Sequence, residues 1–236
     1  MLRNTPKGHT LCRAAARGVR KREPLVGDLP SILKTSSMNT DLHDLPTEFT
    51  SGRLLLRRYQ RDDSAVYYHT LYNNREHLHE FLPPFLVNLR DEEDAKTWFD
   101  RQSAEWNALN LFIFGLWERV TGVYVGESYL ANPDWDVPRI EVGYFLVKEF
   151  TGKGYATESA KAIIRYAFEQ MKVVRIDLRC AADNAASIRV AERCGFTQEG
   201  CFRQHHRKKD GTLVDMLWYG LLLSEWQNMQ SLRKTG

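Results

Sequence analysis

The chain has 236 residues, 43% of them hydrophobic and 27% charged, which is the balance of a globular protein of one ordinary domain, or of one domain plus an appendage. No apolar run approaches the roughly 18–20 residues that a membrane-spanning helix requires, so a membrane partner is not expected. The net charge of +3 is uneven: residues 1–37 carry +6 and the remainder −3, and a slightly acidic body argues against a dedicated nucleic-acid binder.

Residues 1–37 are Arg-rich, acid-poor and punctuated by Gly8, Gly18, Pro24, Gly27 and Pro30. A basic, disordered N-terminal extension is expected there, with at most a short helix near Leu11–Val19. Three explanations stay open: an over-extended start ahead of Met38, a transit peptide, and a basic arm touching RNA or ribosome surfaces. The folded domain is assigned to residues 38–236. The cysteines Cys12, Cys180, Cys194 and Cys201 contain no C-x-x-C pair. With no secretory h-region, they predict free thiols in a cytoplasmic protein.

Within the body, Arg53–Tyr59 reads as a first strand, and Asp62-Asp63 cap a helix through Ala65–Leu71. Pro83-Pro84 divides residues 77–88 into two helical pieces around a loop. Asp91-Glu92-Glu93-Asp94 opens a further helix with the charge its dipole prefers, whose face is Ala95, Trp98, Phe99, Gln102 and Trp106. Leu111–Trp117, Gly122–Leu130 and Ile140–Val147 then form an antiparallel meander. A helix follows from Ala156 to Met171 on i, i+3/i+4, i+7 spacing, and a strand from Val174 to Cys180. Asp183 starts another helix that ends at Gly195. Two strands flank the Asp210-Gly211 turn, and Ser224–Arg233 is a terminal helix. The fold class is α+β, one domain of helices on a mostly antiparallel sheet.

The chemistry concentrates in the turn Thr151-Gly152-Lys153-Gly154-Tyr155-Ala156-Thr157, between a strand and a helix. Glycines permit close backbone approach, and a helix N-terminus offers unpaired N–H groups and a positive dipole end. A diphosphate suits that environment. Lys153 either adds a point charge or points into solvent. The dinucleotide fingerprint G-x-G-x-x-G/A fails because Thr157 stands at its last position, and the phosphate-loop pattern G-x-x-x-x-G-K-[ST] is absent.

These residues resemble the GNAT acetyltransferases. Thr151–Ala156 is similar to the family's [Gln/Arg]-x-x-Gly-x-[Gly/Ala] pyrophosphate loop, with Thr151 where Gln or Arg is usual. Asp183–Ser187 resembles its Asn-x-x-Ser helix start, and Gly195-Phe196 its closing pair. Ile140–Tyr144 and Glu199-Gly200…Arg203 complete the pattern of the ribosomal-protein N-acetyltransferase (RimJ/RimL-like) subgroup, from about Arg53 to Leu223. The resemblance implies the GNAT fold, a mixed sheet whose central strands splay apart, with acetyl-CoA as co-substrate in the gap. It implies that the backbone of Phe145, Leu146 and Val147 pairs with the pantetheine like an added strand. Residues Thr151, Gly152, Lys153, Gly154, Tyr155, Ala156 and Thr157 would hold the pyrophosphate, and Asn184 the pantetheine arm.

The same resemblance makes Glu141 the general base, its pKa raised by burial. The alternative is an exposed strand glutamate paired with an arginine such as Arg139. Ser187 would protonate the departing CoA sulfur, or be a helix-start serine bonding its own backbone. The acceptor is expected to be a protein N-terminal amine, possibly ribosomal. An α-amine of pKa about 7.7–8.0 is roughly a tenth neutral at pH 7, against about one lysine amine in 2,500. Small amines (antibiotic, polyamine or amino sugar) stay open, as does a non-catalytic acyl-CoA sensor. No metal is expected, since His77 and His79 diverge on a helix and His205-His206 face opposite sides of a strand. Residues 72–89 are expected to wall the acceptor pocket by the family analogy. The chain is expected to be a monomer or homodimer, touching nucleic acid only through residues 1–37.

Overall fold

The computed structural model describes residues 42–80 and 82–234, so the expectations for residues 1–37 lie outside the described residues. The strands are β1 (Glu48–Thr50), β2 (Leu54–Arg57), β3 (Leu111–Glu118), β4 (Tyr124–Asp134), β5 (Arg139–Leu146), β6 (Arg175–Ala181), β7 (Thr197–Arg207) and β8 (Leu213–Leu222). They form one sheet in the order β1-β2-β3-β4-β5-β6-β8-β7. Every pairing is antiparallel except β5 with β6. The helices are α1 (Ser64–Asn73), α2 (Arg75–Leu78), α3 (Pro84–Val87), α4 (Glu92–Asn107), α5 (Tyr155–Glu169), α6 (Ala185–Cys194) and α7 (Leu223–Lys234).

The period-two alternation of β5 divides the core. Ile140, Val142 and Leu146 pack with Ile163, Ile164 and Ala167 of α5 on one face, while Phe145 and Val147 join Tyr67, Leu71 and Phe99 of α1 and α4 on the other. The α5 helix forms where the sequence spacing predicts it. The charge run at α4 acts as expected, with the Asp91 side chain accepting the Asp94 N–H at 2.9 Å. That bond satisfies a helix-start donor that would otherwise lack a partner.

Three elements differ from the sequence expectation. The three-residue β1 is too short to show a period, and it is held by pairing with β2 and by Phe49 against Phe114 and Tyr166. Strand β4 runs on to Asp134 through an irregular step after Ala131, which Asn132 absorbs at φ 51°. Helix α6 is capped by Asn184 rather than Asp183: the Asn184 side chain accepts the Ser187 N–H at 3.0 Å, and Asp183 instead pairs with Lys208. Of the described cysteines, Cys180 and Cys194 are buried and Cys201 is exposed, all unbridged. No described helix is long and apolar enough to cross a membrane.

Candidate functional site

Strands β5 and β6 pair only over Arg139–Glu141 with Arg175–Asp177. Beyond that point each is bonded on its outer side alone, β5 to β4 and β6 to β8. The separation opens a cleft of about 580 Å³ lined by Glu141, Gly143, Tyr144, Cys180, Asn184 and Ser187, among others. A strand edge facing such a gap has unpaired N–H and C=O groups that an extended ligand can complete.

Register decides which groups those are. The Val147 N–H donates to the Val125 carbonyl at 3.0 Å, and Phe145 lies opposite Glu127. Alternation then turns the backbone polar groups of Phe145 toward β4, and those of Val142, Tyr144 and Leu146 toward the cleft; the Val147 N–H also faces β4, while its carbonyl accepts the Phe150 N–H at 3.0 Å. Of the three residues assigned from the sequence, only Leu146 offers its backbone to the gap. Its carbonyl already accepts from His77 Nε2 at 3.2 Å. Register is not legible in a single strand's sequence, so the Tyr144 backbone joins the cleft edge only in the structure.

The glycine turn lies past the end of β5. Gly152 and Gly154 have φ of 74° and 85°, a left-handed conformation that costs a side-chain-bearing residue about 1–2 kcal/mol. The first bond of α5 runs from the Glu158 N–H to the Gly154 carbonyl at 3.0 Å. The amides of Tyr155, Ala156 and Thr157 therefore have no intrahelical acceptor, and they point where the helix dipole favours an anion. Thr151 turns its hydroxyl back onto the Lys148 carbonyl at 2.7 Å, so the residue that departs from the family pattern is used to close the preceding turn. Lys153 lies 5.7 Å from the Phe150 ring centroid.

A clamp not anticipated from the sequence fixes this turn. Glu158 accepts from the Arg53 backbone N–H at 2.6 Å and from Arg53 Nε at 2.8 Å, and Ser51 donates to it at 2.9 Å. Arg53 also donates to the Lys153 carbonyl at 3.1 Å and lies 4.0 Å over the Tyr155 ring. Tyr155 in turn hydrogen-bonds Glu118. Ser51 and Arg53 lie 100–107 residues from their partners, and Glu118 lies 37 from Tyr155, so no local pattern signals them.

Glu141 and Ser187 both reach the cleft. Arg179 grips the Glu141 carboxylate with two bonds, Nε at 2.9 Å and Nη2 at 2.5 Å, and Asn132 adds a third at 3.0 Å. The surroundings of Glu141 are thus a guanidinium fork at the cleft wall, where a buried carboxyl was expected. Arg139, the partner anticipated for it, pairs with Asp134 and Asp177 instead. Asn184 uses its side-chain oxygen as the α6 cap, so its NH2 end is what remains for a ligand. Ser187 faces the Tyr144 hydroxyl, which is buried without a hydrogen bond of good geometry; burial holds that phenol well above its ordinary pKa.

A second carboxyl lies one strand away. Glu127 is 3% exposed and accepts from the Tyr59 hydroxyl at 2.9 Å, which also contacts Tyr124 at 2.7 Å. Burial pushes Glu127 up to about 8, against the opposing pull of Tyr59 and Tyr67. It lines a separate pocket of about 230 Å³ together with Leu82, Leu86, Trp98 and Ile113. Tyr129 and Tyr144 border both this pocket and the cleft. In the sequence, the signal for Glu127 is a lone charge inside the apolar run of β4.

Known proteins resemble this chain in sequence and in fold. The acetyltransferase (GNAT) domain model matches residues 53–197. A ribosomal N-acetyltransferase candidate of Bacillus subtilis strain 168, YdaF, is 36% identical over 111 residues, covering 45% of this chain and 57% of its own length. The uncharacterized N-acetyltransferase YnaD of the same organism is 29% identical over 178 residues, covering 75% and 98%. The solved structure of RimL, a ribosomal L7/L12 α-N-protein acetyltransferase in complex with coenzyme A, matches the fold with a TM-score of 0.68 at 20% identity, over 77% of this chain and 98% of that one.

Proposed function

Because the chain belongs to the GNAT acetyltransferase family, and is an acyltransferase whose donor is acetyl-CoA, we propose that its acceptor is the α-amine of a protein N-terminus. The observation that carries the donor side is the cleft itself, an unpaired β5 edge that ends at a helix start with three free amides. On this reading the amides of Tyr155, Ala156 and Thr157, with those of Gly152 to Gly154, hold the pyrophosphate. The Tyr144 and Leu146 backbone and the Asn184 NH2 group line the pantetheine. Acetyl-CoA supplies an activated thioester when bound.

Glu141 is the proposed base, taking the amine proton directly or through water while Arg179 and Asn132 hold its carboxylate in place. Ser187 is the proposed donor to the leaving sulfur, with the Tyr144 hydroxyl beside it. A base held in an ion pair suits an amine that is already a tenth neutral at pH 7 better than a lysine, which supports an N-terminal acceptor. The name of YdaF and the substrate named for RimL point to the same acceptor class. The test is a panel of peptides beginning with Ala, Ser or Met, set beside lysine, spermidine and glucosamine and read by mass spectrometry. Acetylation at the peptide α-amine is expected. Turnover confined to the small amines would overturn the acceptor assignment.

A further inference from the structure

We propose that Glu127 is the docking anchor that receives the acceptor's ammonium group before the amine loses its proton to Glu141 in the cleft, and that the pocket around it selects amines carried on a compact apolar body. For a protein acceptor, this means an apolar first residue. The inference deepens the proposed N-acetyltransferase reading and rests on it.

Glu127 has no cationic partner among the described residues. Buried carboxyls in folded proteins pair with a cation or a full set of hydrogen-bond donors, because an uncompensated buried charge is costly. No lysine or arginine influences Glu127 among the described residues, and its neighbours are the phenols Tyr59, Tyr67 and Tyr124. The Tyr67 hydroxyl and the Trp98 indole N–H are buried in the same cluster without a hydrogen bond of good geometry. Glu127 thus faces phenol hydroxyls but no cation among the described residues. Gly115, opposite Glu127 in β3, leaves room for the Tyr59 ring, since a Cβ there would lie 2.8 Å from it.

Position gives the cluster its use. Glu127, Tyr129 and Ala131 share one face of β4 and line the pocket closed by Leu82, Pro83 and Leu86 from the α2–α3 segment and by Trp98 from α4. That segment falls within the residues the sequence marked as the acceptor wall. Tyr129 and Tyr144 border both the pocket and the cleft, so an occupant of the pocket lies against the same two rings that wall the place where β5 and β6 part. Its remaining walls are apolar: Leu111, Ile113 and Phe145. A cationic head at the acid and a compact apolar body against these walls satisfies both halves. An anionic or strongly polar first residue keeps the cationic head but fails the apolar walls.

The experiment uses the full chain saturated with CoA. Binding of 3-methylbutylamine, its neutral isostere 3-methylbutanol, and peptides beginning with Met, Leu or Asp is followed by tryptophan fluorescence, with Trp98→Phe to assign the signal. Saturable binding of the amine and of the Met and Leu peptides is expected, with the alcohol and the Asp peptide much weaker. Glu127→Gln should weaken amine binding about a hundredfold. Ala131→Phe, which fills the pocket without touching the acid, should weaken it as well. CoA affinity should stay unchanged in both variants. Equal binding of amine and alcohol, or undiminished amine binding in Glu127→Gln, would overturn the proposal. Absence of CoA binding in the wild-type chain would instead overturn the family-based function on which it rests.

Discussion

Replacing Glu127 with Gln should change how stability depends on pH, and the structure sets the size of the effect. The folded state holds the Glu127 proton up to about pH 8, whereas the unfolded chain releases it near the ordinary value of 4.5. Between these values the native state binds more protons than the unfolded one, so stability falls as pH rises. At about 1.4 kcal/mol for each pH unit, the full span is on the order of 5 kcal/mol. Water reaching the acid on partial opening reduces that to about 2–4 kcal/mol. The contribution is complete below pH 4.5 and lost as pH passes 8. Glutamine still accepts the Tyr59 hydroxyl but cannot titrate. Urea denaturation of both proteins from pH 5 to 8.5 isolates the term, because every other group titrates alike in the two. The variant should gain on the wild type by a few kcal/mol across that range. A stability difference that does not change with pH would refute the account of Glu127 as a buried acid without a cation.

Further outcomes follow from the cleft. A Cβ at Gly143 would lie 2.1–2.5 Å from the Tyr129 ring, so Gly143→Ala should cost about 1–3 kcal/mol in a thermal melt and disturb the wall shared by cleft and pocket. Asn184→Ala removes the α6 cap, which should lower stability by about 1 kcal/mol; calorimetric titration should also show weaker acetyl-CoA binding. Glu141→Gln should lower kcat by about a hundredfold with little change in KM for acetyl-CoA. An unchanged kcat would move the base elsewhere.

The sequence made the helices and most strands legible because their patterns are local. Spacing placed α5, the acidic run placed α4, and Asp210-Gly211 placed the last hairpin. The glycine turn and the α6 start were also local, and both are where the family resemblance put them. What escaped depends on partners far apart in the chain. The two-bond grip of Arg179 on Glu141, the clamp of Arg53 on Glu158, and the phenols around Glu127 exist only after the sheet assembles. Register escaped for the same reason: a strand pattern shows which side chains share a face, but not which backbone groups face the gap. The Tyr144 backbone therefore enters the site only with the structure, while the Phe145 backbone and the Val147 N–H turn to β4.

The most direct test of the account is amine-dependent release of free thiol from acetyl-CoA by the purified chain, with the amine product weighed in the same reaction. The account predicts release that saturates in both substrates, one acetyl group gained by the amine for each thiol freed. Tight binding of acetyl-CoA with no amine raising thiol release above the background would contradict it, and would leave a protein that holds the donor without transferring it.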